Sequence, residues 1–339
     1  MPVLVTGATG HIGNNLCRLL AEDNRPIRAM VRSTSPTSIL RDVGVETVEA
    51  NLLVPESLED AMDDCDVVFH AAAVYRTWAD NPELEIIKPA VEGTRNVLEA
   101  ARKKNVRKII YVSSVVAIGG GESFDHGRNE DDWNDEATLP YNIAKTRAEK
   151  LAHELADELD LNVIFVLPGM VLGPNDYKIT PSNGLVRDFL NGKIPFYYDS
   201  AFTIADVRDV AQGMLLAEQH GQRGERYILG GKQVTVKELF DQLAEMTTRS
   251  APAMKLGTGT AKVSSYPMKW LSKLFGNEPL ITPEIVQDQF GKYQNFSSAK
   301  AEGKLGYEHR SLLRVLEDSI NWLIKQNEVS PDIRTVENT

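Results

Sequence analysis

The segment Thr6-Gly7-Ala8-Thr9-Gly10-His11-Ile12-Gly13 constrains this chain more than any other. Val3-Leu4-Val5 before it is a short β-rich run, and Ile12, Leu16, Leu19 and Leu20 recur after it with helical spacing. Strand, glycine turn and helix in direct succession bring backbone amides, with no Cβ atoms in the way, to the positive end of a helix. That arrangement suits a pyrophosphate better than it suits an ordinary flexible turn, so a dinucleotide-binding βα unit is expected here.

The alternation continues along the chain. Ile27 to Val31, Val45 to Val48, Val67 to Phe69, Lys108 to Val112 and Val163 to Leu167 read as strands. Glu56 to Met62, Glu92 to Lys104 and Tyr141 to Glu158 read as the helices between them. Strands alternating with helices predict an α/β fold, a doubly wound parallel Rossmann sheet with right-handed crossovers. After Pro168-Gly169 the alternation gives way to loops rich in Gly, Pro and Asn, followed by packing helices over Val207 to Glu218, Val236 to Met246 and Leu312 to Ile324. At 339 residues the chain is long for one simple core, so a smaller, discontinuous α+β substrate domain is expected. The expected division is 1–168 plus about 204–222 for the dinucleotide domain, about 169–203 plus 223–326 for the substrate domain, and a flexible tail over 327–339.

Composition excludes several classes. A net charge of -11 disfavours a nucleic-acid partner, and no apolar run is long enough for a membrane span. The first strand begins at Pro2, leaving no room for an export signal, and Cys17 and Cys65 stand apart from any ligand spacing. A cytoplasmic protein without a disulfide framework is the expectation. The histidines fall in no metal-ligand pattern, so no metal is expected.

At the end of the second strand an acidic side chain would bind the ribose 2′-hydroxyl of NAD(H) and repel a 2′-phosphate. Arg32, followed by Ser33 and Thr34, stands there instead, with Arg41 as a second cation. NADP(H) is therefore favoured as cofactor, with NAD(H) the alternative. Hydride reduction of a carbonyl also requires a proton donor at its oxygen, and a nearby ammonium lowers a tyrosine's pKa from its ordinary value of about 10. Tyr141 and Lys145, one turn apart on a predicted helix, meet that need. The spacing alone is common. Its position, after a fifth strand that ends in Val112-Ser113-Ser114 at the sheet's ligand-binding edge, gives it weight.

These elements resemble the extended short-chain dehydrogenase/reductase (NAD-dependent epimerase/dehydratase) family. The likeness runs through the glycine loop, His70-Ala71-Ala72-Ala73, Val112-Ser113-Ser114, Tyr141-Asn142-Ile143-Ala144-Lys145, Pro168-Gly169 and Asp206-Val207-Arg208-Asp209-Val210. The resemblance implies that Ser114 orients the carbonyl, with Ser113 the alternative, that Tyr141 is the general acid/base, and that Lys145 holds the nicotinamide ribose. It also implies cofactor contacts at Thr6, Gly7, Gly10, His11, Ile12, Gly13, Asn51, Leu52, Ala71, Ala72, Ala73, Pro168, Gly169 and Val171, and a homodimer through helices flanking the sheet. Lys88-Pro89-Ala90-Val91-Glu92-Gly93-Thr94 is similar to the dihydroflavonol-reductase branch, whose members use NADPH. Tyr75-Arg76-Thr77-Trp78-Ala79 and Gly224-Glu225-Arg226-Tyr227-Ile228-Leu229-Gly230-Gly231 are closer to bacterial proteins of the hopanoid-associated sugar epimerase type. Asn51-Leu52 stands where the family usually has Asp-Leu, and Ala201 to Ala205 lacks the arginine that many nucleotide-sugar enzymes of the family place there.

His70 reads as structural. Tyr75 and Trp78 could wall a substrate site, Ser123 to Glu136 could border it, and the stripe from Tyr266 to Phe275 reads as second-domain core or a subunit contact. The expected activity is hydride transfer between NADP(H) and a ketone or aldehyde, or its alcohol, on a small, fairly hydrophobic substrate. The alternatives are a nucleotide-sugar epimerase or dehydratase with tightly held NAD(P), and a non-catalytic NADP(H)-binding regulatory or assembly protein.

Overall fold

The computed structural model describes residues 1–73, 78–125, 127–275, 281–330 and 333. β1 (Val3–Thr6), α1 (His11–Glu22), β2 (Ile27–Val31), β3 (Glu46–Glu49), α2 (Pro55–Ala61), β4 (Val67–His70), α3 (Lys88–Lys103), β5 (Lys108–Val112), α4 (Pro140–Glu158) and β6 (Val163–Pro168) follow the alternation that the apolar pattern predicts. α3 starts earlier than the pattern alone indicates. Pro89 lies in its first turn, where a backbone N–H has no intrahelical acceptor, so the proline costs nothing there.

The second half is more regular than a reading of loops anticipates. It contains β7 (Met170–Leu172), α5 (Pro181–Leu190), β8 (Phe196–Tyr197), β9 (Ala201–Asp206), α6 (Val207–His220), β10 (Arg226–Leu229), β11 (Gln233–Thr235), α7 (Val236–Met246), β12 (Met254–Lys255), α8 (Thr258–Phe275), α9 (Pro283–Gln289), α10 (Ala299–Leu305) and α11 (Leu312–Lys325). Such short strands show too few alternations for a period to register. α5 opens on Pro-Ser-Asn-Gly, weak helix formers, and is held by the burial of Val186, Phe189 and Leu190.

Strands order β10-β6-β5-β4-β1-β2-β3 in one seven-stranded sheet whose neighbours are all parallel. β10 lies past residue 223 and joins this sheet as its edge strand. Arg226–Leu229 pairs with Phe165–Pro168 of β6, and Ala301 and Leu305 of α10 pack into the same core as Leu16 of α1 and Met214 of α6. These segments belong to the large sheet's layers because of where they pair, which a four-residue run does not reveal locally. α2, α3 and α4 cover the opposite face through Leu58, Leu98 and Leu155. A further core gathers Leu172, Phe189, Leu239 and Leu316 beneath the small β11-β9-β7 sheet. Among the described residues no helix is long and apolar enough to cross a membrane.

β1 lies between β2 and β4, so the chain leaves the middle of the sheet in opposite directions. A crevice opens where it does so, at the carboxyl ends of β1 and β4.

Candidate active site

The glycine loop sits at that crevice. Gly7 has φ +70°, and a Cβ there would lie 2.8 Å from the Ala72 amide nitrogen and 2.9 Å from the Ala71 carbonyl oxygen. A Cβ on Gly13 would lie 2.2 Å from the Gly7 carbonyl oxygen, so α1 can pack against the loop only through glycine. Gly10 caps α1 without a side-chain bond, and no acidic residue lies in the first turn. The amides at that end are left for an anion. Ile12 packs back into the core. His11 is buried, its Nε2 3.1 Å from the Pro174 carbonyl oxygen, and burial lowers its pKa against the opposing pull of Asp176. Its side chain is thus spent on anchoring α1, leaving the backbone amide to the loop.

Thr6 Oγ1 accepts from the Ala72 amide at 3.1 Å and lies 2.9 Å from His70 Nδ1, fixing the segment after β4 against the loop. Ala73 leads toward Tyr75, which lies outside the described residues, and Trp78 is half-buried. At the end of β2, Arg32 and Ser33 are exposed. The Arg32 amide bonds Ser35 Oγ at 3.1 Å, while its guanidinium makes no hydrogen bond or ion pair among the described residues. Asn51 Oδ1 accepts from the Leu53 amide at 3.0 Å, and the Leu52 carbonyl accepts from Asn96 of α3 at 2.8 Å, so both follow β3 in a tied turn. Gly169 lets the β6–β7 junction pass β9, since a Cβ would lie 2.2 Å from the Thr203 carbonyl oxygen. Pro168 is buried there and Val171 packs on the core around α1.

Tyr141 and Lys145 share one face of α4 and, with His70, Ala72, Ala73 and Tyr111, line a cavity of about 30 Å³. Lys145 Nζ donates to the Val112 carbonyl at 3.1 Å, and burial lowers its pKa to about 8 despite the opposing pull of Glu149. The two serines diverge. Ser113 is buried and donates to the Glu149 carboxylate, whereas Ser114 is only partly buried and accepts from the Val116 amide at 3.4 Å. Ser114 is the hydroxyl left at the sheet's edge. Asp206 caps α6, and Arg208 clasps it at 2.6 Å while reaching Asp318 of α11 at 2.5 Å, so the Asp-Val-Arg-Asp match is a structural brace.

Sequence reasoning missed Asp288. On α9 it accepts from the amides of Thr138 and Leu139 at 3.0 Å each, and from Asn142 Nδ2 at 2.8 Å. It thereby ties down the segment that leads into α4, where Leu139 makes no side-chain cap bond of its own. Arg226 and Glu149 were also unassigned. The only signal for Glu149 was its place one turn beyond Lys145 on the Tyr141 face.

The comparisons agree with this geometry. A family model described as the NAD dependent epimerase/dehydratase family matches residues 3–230. A dihydroflavonol 4-reductase-like protein of Synechocystis sp. is 30% identical over 325 residues, covering 94% of this chain and 93% of that protein. Sterol demethylase protein B of Methylococcus capsulatus is 31% identical over 261 residues, 76% of this chain and 77% of its own length. The crystal structure of gox2253 superposes with a TM-score of 0.85 at 35% identity, covering 97% of this chain and 99% of that one. A strand-glycine-helix unit at the switch point of a parallel sheet, matched across most of its length, places the chain in the NAD-dependent epimerase/dehydratase family, the extended short-chain dehydrogenases/reductases, which bind a nicotinamide dinucleotide.

Proposed function

We infer that this chain is an NADP(H)-dependent reductase of a ketone or aldehyde, or dehydrogenase of its alcohol, acting on a small, fairly hydrophobic molecule. The observation that carries the reading is the placement of Tyr141 and Lys145 together on the cavity that Ala72 and Ala73 close, directly beside the glycine loop. The residues fit the cofactor: glycines where a Cβ would strike backbone, amides at α1 without a side-chain cap, and an Arg32 guanidinium with no hydrogen bond or ion pair among the described residues.

When bound, NADPH supplies the hydride. The Tyr141 hydroxyl donates a proton to the carbonyl oxygen as negative charge develops there, and Ser114 donates a hydrogen bond to the same oxygen. The Lys145 ammonium stabilises the phenolate left on Tyr141 and holds the nicotinamide ribose. The reverse reaction uses the same groups, with Tyr141 as base.

Many nucleotide-sugar enzymes of the family place an arginine where Ala201 to Ala205 stands. Here Thr203, Ile204 and Ala205 are buried in β9, and Thr203 Oγ1 is bonded to the Gln294 carbonyl at 2.9 Å. The relative named as a dihydroflavonol 4-reductase points the same way. Fluorescence titration with NADPH and NADH, then a carbonyl screen with Tyr141→Phe beside the parent, tests the reading. Tighter NADPH binding and turnover that falls by about 10²-fold or more in the variant, at unchanged cofactor affinity, is expected. Cofactor that copurifies and never exchanges would favour the epimerase, and binding without turnover a regulatory protein.

A further inference from the structure

Behind Lys145 lies a buried ion pair that the chemistry above does not use. Glu149 stands one turn beyond Lys145 on α4, as Lys145 stands beyond Tyr141, so the three share a face. It is fully buried, and its carboxylate accepts from Ser113 Oγ just after β5 and from Arg226 Nε of β10 at 2.7 Å. Arg226 is buried too. It donates to the carbonyls of Glu130 and Asp132 at 2.5 and 2.8 Å and stacks 3.9 Å from the Trp133 ring centroid. Burying such a pair is costly, and an apolar pair of the same volume would join β10 to α4 at least as well. A purely structural role leaves the charge unexplained.

Among the described residues, the groups of β4 and β5 around Lys145 offer no negative charge. On β4, His70 is neutral at pH 7, its pKa pushed down to about 3 by burial and then by Lys145 itself. On β5, burial raises the pKa of Tyr111, whose hydroxyl bonds Thr94 of α3 at 2.9 Å, and Val112 presents a neutral carbonyl. Among the described residues Glu149 is the one carboxylate that pulls on Lys145, and burial pulls the other way.

We propose that Glu149 is a positioning residue that keeps Lys145 in its ammonium form, with Arg226 as the buried counterion and Ser113 tying the same carboxylate to the strand end that carries Ser114. The proposal rests on Lys145 being the residue that holds the cofactor ribose. It also gives a role to Arg226 in the Gly224 to Gly231 stretch.

Glu149→Gln keeps the shape and one acceptor while removing the charge. NADPH affinity and kcat/KM for a reduced carbonyl are measured from pH 6 to 9. The alkaline limb of both profiles is expected to move down by about one pH unit or more, with values at pH 6 within about threefold of the parent. Ser113→Ala, which cuts the tie and keeps the charge, is expected to leave the limb in place. A uniform drop at every pH in Glu149→Gln, or an equal shift in Ser113→Ala, would confine Glu149 to a structural role and overturn the proposal. Should Glu149→Gln fail to fold, the double variant Glu149→Gln/Arg226→Met discharges both partners, and a limb at the parental pH then overturns it. The binding profile needs no turnover, so a parent that binds NADPH and reduces no carbonyl would remove the reductase reading while leaving this test intact.

Discussion

Replacing Arg32 with Ala tests the contact proposed to set cofactor choice. The guanidinium is exposed at the end of β2 and has no hydrogen bond or ion pair among the described residues, so its loss takes nothing from the fold. Unfolding free energy should change by less than about 0.5 kcal/mol, as for a surface substitution away from special features. A charge-assisted bond to a phosphate contributes about 1.5–3 kcal/mol, and exposure to solvent argues for the low end. Taking about 1.5–2 kcal/mol, NADPH affinity should fall about 10- to 30-fold. NADH, with no 2′-phosphate, should bind within about twofold of the parent, since no counterpart of that bond exists to lose. The assay is fluorescence titration of both cofactors against parent and variant at low and high salt. The parent's preference for NADPH should shrink as salt rises, because an exposed pair is screened beyond about 8–10 Å at physiological ionic strength. Equal weakening of both cofactors, or unchanged NADPH affinity, would refute the assignment of Arg32 to the 2′-phosphate.

Three further outcomes are expected. Gly13→Ala forces a Cβ to within 2.2 Å of the Gly7 carbonyl oxygen, so α1 must shift and NADPH titration should show binding lost or reduced at least about 100-fold, in a protein whose far-ultraviolet circular dichroism is retained. His70, held at a pKa of about 3 against an ordinary 6.5, is deprotonated in the folded state where the unfolded state binds a proton. Its contribution to stability is therefore full above pH 6.5 and lost as pH falls toward 3, at about 1.4 kcal/mol per unit. Urea unfolding at pH 7 and pH 5 should show the parent losing about 2 kcal/mol more than His70→Asn, and equal losses would refute the reading. Asp288→Ala leaves the Thr138 and Leu139 amides just before α4 without their acceptor, which should cost about 1–2 kcal/mol by chemical denaturation and lower kcat more than it weakens NADPH binding.

Much of the site was legible because its logic is local. Gly7, Gly10 and Gly13 announce a turn that no side chain tolerates, and Tyr141 and Lys145 meet through helical spacing alone. Ser113 and Ser114 are adjacent and chemically identical, so only packing separates them, sending Ser113 inward to Glu149. His11 lies within the glycine motif, yet its side chain turns to Pro174, which is far away in sequence. Tyr75 falls outside the described residues, and Trp78 is half-buried.

The chain's own pattern determines the βα alternation, the glycine loop and the face of α4 that Tyr141 and Lys145 share, because strand period, helix period and Cβ sterics act between near neighbours. Tertiary structure decides what strand order and packing bring together. Arg226 reaches Glu149 across 77 residues only because β10 adds to β6, and Asp288 reaches Thr138 across 150 because α9 folds back over the start of α4. Such contacts leave no periodic trace, since neither partner constrains the residues beside the other. The charge environment of Lys145 is therefore a property of the fold, although the lysine itself is evident in the sequence.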